Sequence, residues 1–472
     1  MEIISENKPF AYKNQDIGQG RGVYISTYGC QMNVNDSDRM YSLLEMANFT
    51  PVDSPLEASV IIINSCSIRE KPVHKVYSEV GKYRKLKDAN PKLKIGIGGC
   101  VGQQEKEKLI KNQPMIDFVF GTDTIDTLPD ILNDLILKEE SKDDKKNRIV
   151  KAGFAHREPY HVETLVRNPG VSTFVNITKG CDNFCTFCVV PFTRGREKSR
   201  PKTHVLQDIH TLVKRGVKEV TLLGQNVNSY ESECGTSFAD LMKTIAKETG
   251  IERIRFTTSH PKDFDQYLVD VIAEHQDKIC EYIHLPFQSG NSRILERMNR
   301  GYTREQYIEK INMIKKTIPN VVLSTDIICG FPGETEADFQ DTLSMVREVG
   351  YETIFAFMYS QRPNTKAAKF EDQVPDAIKS ERLQRLFDAH NTMAFDLAKA
   401  YENRILDVLV EKKHDDESVA GNIKFSGRSR QNKLVYFEVP AAHSDLIGRT
   451  VNIKITKAYP AVFRGDMVGS IN

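Results

Sequence analysis

The sequence contains no tryptophan, only nine cysteines in 472 residues, and no apolar run of the length that a membrane-spanning helix needs. The missing apolar run favours a soluble globular chain over a membrane protein. Without tryptophan, phenylalanine and tyrosine are the aromatic residues available for stacking. Lysine and arginine (65) balance aspartate and glutamate (64), and the net charge of +1 argues neither for nor against a nucleic-acid partner, which needs only local basic clusters.

The hydrophobic fraction of 40% and the charged fraction of 27% are typical of a globular protein, and the length allows about three domains. The first 22 residues are polar and lack the basic and apolar regions of a secretory signal, which predicts a cytoplasmic protein. In a reducing compartment, cysteines are more often ligands or core residues than disulfide partners. We find no internal repeat of fixed period.

Two changes in composition divide the chain. Residues 138–148, KEESKDDKKNR, form a mixed charge run without an apolar anchor, which is typical of a solvated linker. After an amphipathic stretch that ends near residue 403, short β-rich runs replace the alternation of strands and helices. These changes predict three domains, which span residues 1–150, 167–403 and 404–472.

The first domain contains four strand-like runs separated by stretches with helical spacing: GVYISTY, SVIIIN, KIGIG and DFVF. This alternation predicts an open α/β sheet of parallel strands joined by crossover helices. Cys30, Cys66 and Cys100 each follow one of the first three runs. Because the carboxyl ends of parallel strands share one edge, where ligands bind, these cysteines could converge on one polynuclear cluster if their strands are neighbours. Ordinary buried thiols are the alternative.

Six further strand-like runs, each followed by room for a helix, predict that the second domain is a partial (β/α)6 barrel. Its first βα loop contains KGCDNFCTFCVV, in which Cys181, Cys185 and Cys188 form a C-x3-C-x2-C pattern. Three thiolates at this spacing suit an iron-sulfur cluster or zinc. A structural zinc site needs a fourth ligand, and the next cysteine is the distant Cys234. A four-iron cluster on three thiolates would instead leave one iron open. We interpret Cys234, Cys280 and Cys329 as core thiols.

The C-x3-C-x2-C segment resembles the radical S-adenosylmethionine (SAM) enzymes. The resemblance implies that the open iron binds the amino and carboxylate groups of SAM, and that the reduced cluster cleaves SAM to a 5′-deoxyadenosyl radical. Candidate contacts to SAM follow the strands of the barrel at one rim, and they are Phe187, Gly224, Gln225, Asn226, His284, Gln288, Ser324 and Asp326. Taken singly, a glycine after a strand is more often a turn and a histidine is more often structural, so the common rim carries this prediction.

Longer motifs narrow the resemblance. Eight motifs are together similar to the methylthiotransferases, and most of all to the MiaB type that modifies tRNA: TYGCQMNVNDSDRM, NSCSIREK, GGCVGQQE, FGTD, TKGCDNFCTFCVVPFTRGREKSRP, LLGQNVNSY, HLPFQSG and FPGET. The chain departs from that family at Asn364 and Lys366, where glycine and proline are common. The resemblance implies two 4Fe-4S clusters, one on Cys181, Cys185 and Cys188 and an auxiliary one on Cys30, Cys66 and Cys100. It assigns no catalytic side chain beyond these ligands.

The resemblance also implies that SAM is used twice, as methyl donor to a sulfur of the auxiliary cluster and as radical source. The methylthio group would then be attached to carbon 2 of N6-isopentenyladenosine beside the anticodon of a tRNA. Acid-base groups of ordinary pKa cannot open such an aromatic C–H bond, so cofactors must carry the step. An external electron donor is expected, and we expect the chain to act as a monomer.

Two basic segments are candidates for contact with the anticodon stem-loop, because phosphate contacts give affinity without reading sequence. Their predicted RNA-binding residues are Arg194, Arg196, Lys198 and Arg200 in the first, and Lys424, Arg428, Arg430 and Lys433 in the second. A solvated face is the alternative for either segment. The last 69 residues read as short strands with turns between them, which predicts a small β-barrel. They resemble the TRAM domain that grips tRNA in this family.

Three alternatives stay open at this point. A related methylthiotransferase could act on threonylcarbamoyladenosine in tRNA or on a ribosomal-protein aspartate. The chain could be an RNA-binding protein that keeps its iron-sulfur clusters without turnover. It could also be a zinc protein.

Overall fold

The computed structural model describes residues 16–67, 72–140, 148–154, 166–232, 234–414 and 421–469. Most of the predicted linker at 138–148, the end of the NSCSIREK motif and most of the polar first 22 residues lie outside these ranges. No helix in the described part of the chain is both long and apolar enough to cross a membrane.

The strands are β1 (Gly22–Tyr28), β2 (Thr50–Pro51), β3 (Val60–Ser65), β4 (Lys94–Gly98), β5 (Phe118–Phe120), β6 (Ile149–Lys151), β7 (Ser172–Asn176), β8 (Thr178–Lys179), β9 (Lys198–Ser199), β10 (Glu219–Leu223), β11 (Arg253–Phe256), β12 (Tyr282–His284), β13 (Val322–Cys329), β14 (Thr353–Met358), β15 (Ile405–His414), β16 (Asn422–Ser429), β17 (Leu434–Pro440), β18 (Thr450–Ala458) and β19 (Val462–Met467). The α-helices are α1 (Gln31–Met46), α2 (Pro72–Lys82), α3 (Arg84–Ala89), α4 (Gly99–Glu105), α5 (Glu107–Asn112), α6 (Leu128–Glu140), α7 (Val190–Thr193), α8 (Lys202–Lys214), α9 (Phe238–Glu248), α10 (Gln266–Glu274), α11 (Ser292–Arg297), α12 (Arg304–Thr317), α13 (Glu336–Val349) and α14 (Asp376–Lys399).

The chain forms two compact units. The N-terminal unit comprises residues 1–168, 179–182 and 189–200, and the C-terminal unit comprises 169–178, 183–188 and 201–472. The C-x3-C-x2-C segment therefore contributes residues to both units. The predicted domain bounds stay a prediction, because the units divide the chain differently.

The N-terminal unit contains a six-stranded parallel sheet in the order β2-β1-β3-β4-β5-β6. Its central strand β3 is buried along its whole length and rich in isoleucine, as expected where helices cover both faces of a sheet. Side chains from α1 and α6 pack on one face, and side chains from α2, α4 and α5 pack on the other. The predicted open parallel α/β sheet is confirmed.

In the C-terminal unit, six parallel strands form two three-stranded sheets in the orders β11-β10-β7 and β12-β13-β14. A parallel bridge between Ile254 and Ile279 joins β11 to the residues just before β12. The strands therefore follow one another around a partial (β/α)6 barrel, as predicted. Capping boxes begin three of the surrounding helices, and their residue pairs are Ser237 with Asp240, Thr303 with Gln306 and Thr335 with Asp338.

The last five strands close into a small barrel in the order β15-β16-β17-β19-β18. All neighbouring strands are antiparallel except β17 and β19. Phe425, Phe437 and Phe463 fill its interior together with aliphatic side chains. The predicted C-terminal β-barrel is confirmed.

Two arginines of β11 join this barrel to the partial barrel of the same unit. Arg253 Nη1 donates to the main-chain oxygen of Arg428 at 2.8 Å, and Arg255 donates to the main-chain oxygens of Ser429 and Arg430 at 2.7 and 2.8 Å. Since both guanidinium groups are buried, these bonds satisfy charges that would otherwise be costly to bury.

Candidate functional site

Three cysteines of the N-terminal unit lie at one edge of its sheet. Cys30 follows β1 and precedes α1, Cys66 follows β3, and Cys100 lies in the first turn of α4 directly after β4. Because β1, β3 and β4 are neighbours, the three cysteines top adjacent strands. Cys66 and Cys100 are buried, whereas Cys30 is partly exposed.

The loops that carry these cysteines pack closely. A Cβ on Gly29 would lie 2.6 Å from the Cβ of Cys66, and Gly29 has a φ of +145°, which favours glycine. Asn33 Nδ2 donates to Oδ1 of Asn64 at 3.1 Å, and Asn64 Nδ2 donates to the main-chain oxygen of Asn33 at 2.8 Å. This reciprocal pair ties the helix after Cys30 to the strand before Cys66. Sequence reasoning did not assign it, although both asparagines stand in the CQMN and NSC motifs.

Arg194 brings a buried positive charge to these cysteines. Its Nη2 donates to Oδ2 of Asp36 at 2.8 Å. Burial alone would lower the pKa of Arg194, but Asp36, Cys100 and Cys30 raise it well above its ordinary value. The pKa of Cys30 falls to about 6, because the contact with Cys66 and the charge of Arg194 outweigh burial. The thiolate is the form that ligates iron, so the chemistry of this donor set fits an iron-sulfur cluster.

The other three predicted ligands are divided between the two units. Cys181 belongs to the N-terminal unit, and Cys185 and Cys188 belong to the C-terminal unit. Between the latter two, Thr186 donates from its main-chain nitrogen to Met298 O at 3.0 Å and from Oγ1 to Arg297 O at 2.9 Å. In the part of the chain that the structure describes, no three His, Cys, Asp or Glu side chains are placed as ligands of one metal ion. Cluster ligation by either set of cysteines therefore stays a prediction.

A second buried arginine contacts a predicted cluster ligand of the C-terminal unit. Arg300 Nη1 lies 3.3 Å from Sγ of Cys185, and Nη2 donates to the main-chain oxygen of Pro286 at 2.9 Å. The hydroxyl of Tyr302 accepts from Nε of Arg300 at 3.1 Å. Sequence reasoning missed both residues, because the MNRGY segment lies more than one hundred residues after Cys185 and carries no motif that links the two.

Phe187 and Gly224 are two of the predicted SAM contacts, and each packs closely against a different neighbour in the C-terminal unit. Phe187 meets Phe331 edge-on, with 6.5 Å between the ring centroids. A Cβ on Gly224 would lie only 1.9 Å from Oγ1 of Thr178, which explains the glycine at the end of β10.

The neighbouring Gln225 is partly exposed, whereas Asn226 is buried among polar groups. Asn226 Nδ2 donates to Oδ2 of Asp263 at 2.8 Å, and its Oδ1 accepts from the main-chain nitrogen of His260 at 3.2 Å. The Asn226 side chain thus holds two loops of the barrel rim together. Contact of Gly224, Gln225 and Asn226 with SAM stays a prediction.

The structure brings together the predicted residues of β12 and β13. His284 Nδ1 and Oγ of Ser324 are 2.9 Å apart, and His284 Nε2 lies 3.4 Å from Oδ1 of Asp326. The Ser324 hydroxyl also donates to the hydroxyl of Tyr282 at 2.7 Å. Gln288 has a φ of +68°, and its main-chain nitrogen donates to the main-chain oxygen of Asp326 at 2.9 Å.

Two phenylalanines of β14 extend this polar cluster with an apolar surface. Phe355 and Phe357 are exposed, whereas Ile354 and Ala356 before and between them are buried. Phe355 pairs with Asp326 across the strands and its ring meets His284 edge-on at 5.8 Å. Alternation along β14 therefore turns both phenylalanines to the face that carries His284 and Asp326. Sequence reasoning did not single out either phenylalanine.

Half of the predicted RNA-binding residues are used inside the protein. Arg194 and Arg200 are buried, and Lys433 is buried with its Nζ 2.5 Å from Oε2 of Glu352. Arg430 pairs with Glu281 at 3.1 Å and donates to main-chain oxygens of residues 276, 277 and 279. Three of these cations are buried and Arg430 is bonded to protein oxygens with 12% of its side chain exposed, so the structure does not support contact of the four with phosphate.

The other four predicted RNA-binding residues lie at least partly at the surface. Arg196 is exposed and paired with Asp182 at 2.6 Å, and Lys198 is partly exposed. Lys424 lies over the Tyr436 ring at 5.1 Å, and Arg428 is 3.8 Å from Glu411 with 41% of its side chain exposed. Their contact with RNA stays a prediction. Among the unassigned cysteines, Cys280 and Cys329 are buried as expected, but Cys234 is exposed, so its interpretation as a core thiol is wrong.

Comparison with family models divides the chain in the same order as its folds. Residues 22–121 match the uncharacterized protein family UPF0004, residues 175–346 match the radical SAM superfamily, and residues 399–468 match the TRAM domain. Among solved structures, the fold is similar to that of TsrM, a radical S-adenosylmethionine methyltransferase from Kitasatospora setae with cobalamin and a [4Fe-4S] cluster bound. The TM-score is 0.55 at 13% identity, covering 74% of each chain. The partial barrel and its C-x3-C-x2-C loop thus define a radical SAM enzyme.

Curated relatives specify the family. The chain is 66% identical over 468 residues to the tRNA-2-methylthio-N(6)-dimethylallyladenosine synthase of Bdellovibrio bacteriovorus, covering 99% of this chain and 100% of the relative. It is 45% identical over 441 residues to the synthase of the same name from Carboxydothermus hydrogenoformans, covering 93% and 97%. The chain belongs to the family of tRNA-2-methylthio-N(6)-dimethylallyladenosine synthases.

Proposed function

We propose that the protein attaches a methylthio group to carbon 2 of N6-isopentenyladenosine next to the anticodon of tRNA. The observation that carries this proposal is that a chain of the synthase family combines two separate cysteine triplets with a closed C-terminal barrel that matches the TRAM domain. SAM serves as methyl donor and as source of a 5′-deoxyadenosyl radical. The enzyme acts as a cytoplasmic monomer with an external electron donor.

Each cysteine triplet would hold one 4Fe-4S cluster. Cys181, Cys185 and Cys188 would hold the cluster that binds SAM, and Cys30, Cys66 and Cys100 would hold the auxiliary cluster. When bound, these groups supply the radical chemistry and the inserted sulfur. The protein's own part includes placing positive charge beside two of the ligands: buried Arg194 helps to lower the pKa of Cys30, and buried Arg300 lies with Nη1 3.3 Å from Sγ of Cys185.

The face shared by β12, β13 and β14 is a candidate surface for SAM and the modified base. Among its polar members, His284 contacts both Ser324 and Asp326, which restricts the directions of these side chains. Phe355 and Phe357 offer exposed rings on the same face. An aromatic ring can stack on a purine and pack against the five-carbon N6 substituent, so these two residues are suited to hold the isopentenyladenosine.

The tRNA would be held by Arg196, Lys198, Lys424 and Arg428, the predicted cations that lie at least partly at the surface. Their contacts with phosphate would position the stem-loop without reading its sequence. Recognition of the base would then fall to the face of the partial barrel.

The experiment that tests the proposal combines the reconstituted protein with an isopentenylated anticodon stem-loop RNA, SAM, sulfide and a reductant. Nucleosides from the digested RNA are identified by mass. The expected product carries a methylthio group at carbon 2 of the isopentenylated adenosine. A stem-loop with threonylcarbamoyladenosine at the same position should remain unmodified; its modification, with the isopentenylated RNA unchanged, would contradict the proposal.

A further inference from the structure

The buried arginine beside Cys185 differs in its charge environment from the one beside Cys30. Arg194 is bonded to the carboxylate of Asp36, so that pair is neutral as a whole. The described hydrogen-bond partners of Arg300 are the Pro286 carbonyl, the Tyr302 hydroxyl and the Cys185 sulfur. Cys185 can carry a negative charge, whereas the carbonyl and the hydroxyl are neutral. Arg300 therefore presents a full positive charge to this one cysteine.

The surroundings of Arg300 also keep that charge in place. Burial alone would lower the pKa of Arg300, but Tyr302 and Cys185 raise it above its ordinary value, and arginine remains charged at any working pH. The ring of His260 meets Tyr302 edge-on at 5.8 Å. The pKa of His260 falls to about 2 through burial and through the charges of Arg300 and Lys262, so its imidazole is neutral.

An iron-sulfur cluster becomes one unit more negative when it accepts an electron. A nearby buried cation and an N–H···S bond to a ligand sulfur both stabilise the more negative state. We propose that Arg300 raises the reduction potential of the cluster held by Cys181, Cys185 and Cys188. Arg300 is a positioning residue, since it acts through Cys185, and the inference rests on the proposed function for its cluster ligands.

The test isolates one cluster in the full-length chain. The parent variant carries Cys30→Ala, Cys66→Ala and Cys100→Ala, so only the predicted SAM-binding triplet remains. After anaerobic reconstitution with iron and sulfide, the cluster is titrated with a chemical reductant and its reduced state is followed by electron paramagnetic resonance. One electron passes from the reductant to the cluster, and no bond of the protein is formed or broken.

In this parent, Arg300→Gln removes the charge while keeping a hydrogen-bond donor. At the parent's midpoint potential, we expect its ratio of reduced to oxidised cluster to fall about tenfold, which corresponds to about 59 mV for a one-electron couple. Arg300→Lys keeps the charge and should titrate closer to the parent. Arg304→Gln is the matched control, because Arg304 also donates to main-chain oxygens, those of Gly290 and Asp341, at 3.0 and 2.6 Å. It should leave the midpoint unchanged.

The inference would be overturned if the cluster of the Arg300→Gln variant had the same midpoint potential as the cluster of the parent, or a higher one. Tyr302→Phe keeps the core packing but loosens the guanidinium, and it should shift the midpoint in the same direction by less. If the Arg300→Gln variant binds no cluster, the Tyr302→Phe variant provides the test instead. An unshifted midpoint potential in Tyr302→Phe would then overturn the inference. A parent that binds no iron would instead refute the ligand assignment of the proposed function, so the two failures are distinguishable.

Discussion

Gly224 has no room for a side chain, because a Cβ there would lie 1.9 Å from Oγ1 of Thr178 and 3.2 Å from Cγ1 of Val227. We expect Gly224→Ala to lower the free energy of unfolding by about 1–3 kcal/mol, the usual cost of overpacking. Adding Thr178→Ala should recover part of that loss, since it removes the clashing oxygen. Chemical denaturation measures both variants.

The matched control is Gly81→Ala in α2, where a Cβ would meet nothing within 4 Å. Alanine restricts the unfolded chain more than glycine does, so this substitution should stabilise the protein by about 0.4–1 kcal/mol. A Gly224→Ala protein as stable as the parent would show that the loop at the end of β10 can move away from Thr178.

His260 makes stability depend on pH. Its Nδ1 accepts from the main-chain nitrogen of Lys262 at 3.2 Å, and burial first, then the charges of Arg300 and Lys262, lower its pKa to about 2. Below its ordinary pKa of about 6.5, the unfolded chain binds a proton here that the folded chain does not. The free energy of unfolding is therefore not reduced by His260 above about pH 6.5. As pH falls below that value, protonation of the unfolded chain lowers the free energy of unfolding by up to about 1.4 kcal/mol per pH unit.

We expect His260→Gln to flatten the fall in the free energy of unfolding between about pH 6.5 and pH 5. His210→Gln, at an exposed position of α8, is the control and should leave that slope as it is. If the His260 variant kept the parent's slope, the pKa of His260 would not be lowered in the folded protein as the structure indicates.

The residues that the sequence could identify are those whose role follows from spacing. Cys181, Cys185 and Cys188 are predicted as a set because three thiols at such short intervals are typical of metal ligands. Arg300 and Arg194 could not be identified in the same way, because their proximity to cysteines comes from contacts between distant segments. The basic segments misled for a related reason: charge along the chain does not reveal which cations, such as Arg194, pair with a buried carboxylate.

At the scale of elements, the cysteines at the carboxyl edge of β1, β3 and β4 should bind about half of the iron in the reconstituted protein. We expect Cys66→Ala to lose about half of the iron bound per chain, because it removes one ligand from one of two clusters. Cys280→Ala is the control, since Cys280 is equally buried but belongs to neither triplet. Iron content is measured after identical anaerobic reconstitution, and equal iron in the Cys66 and Cys280 variants would refute the auxiliary site.

The surface cations of the C-terminal barrel predict how the affinity for tRNA depends on salt concentration. Neutralising Lys424 and Arg428 should weaken tRNA binding and reduce the slope of log affinity against log salt by about 1.5, since each lost phosphate contact removes about 0.7–0.9. Arg430→Gln should lower stability instead and leave the slope unchanged, because Arg430 bonds Glu281. If log affinity fell equally steeply with log salt in the Lys424/Arg428 double variant and in the parent, Lys424 and Arg428 would not contact phosphate.

Deleting residues 404–472 is a less specific test of the same idea. We expect it to abolish tRNA binding, but it would also remove the main-chain oxygens that accept from Arg253 and Arg255. Two buried guanidinium groups would lose partners, which is costly. The surface variants therefore separate RNA binding from folding better than the deletion does.

Most elements follow from the sequence because their periodicity is strong. The runs GVYISTY, SVIIIN and KIGIG become β1, β3 and β4, and the six later runs become the strands of the partial barrel. β6 was not predicted, because it is only three residues long and follows a charged segment. β12 is short, Tyr282–His284, and Ile279 before it forms an isolated parallel bridge with Ile254 of β11.

At the scale of the whole molecule, the six predicted cluster ligands are unevenly distributed, with four in the N-terminal unit and two in the C-terminal unit. The auxiliary triplet belongs entirely to the N-terminal unit, whereas the C-x3-C-x2-C triplet draws Cys181 from that unit and Cys185 and Cys188 from the other. Sequence patterns locate both triplets but cannot foresee that the second is divided, since compact units are defined by contacts in space.

In the proposed function, the two cysteine triplets perform different halves of one reaction. The most direct test measures 5′-deoxyadenosine and the methylthio nucleoside in the same anaerobic reaction, for the parent, Cys66→Ala and Cys185→Ala. We predict that Cys66→Ala still forms 5′-deoxyadenosine from SAM but no methylthio nucleoside, and that Cys185→Ala forms neither. Methylthio product from Cys66→Ala at the parent's level would contradict the division.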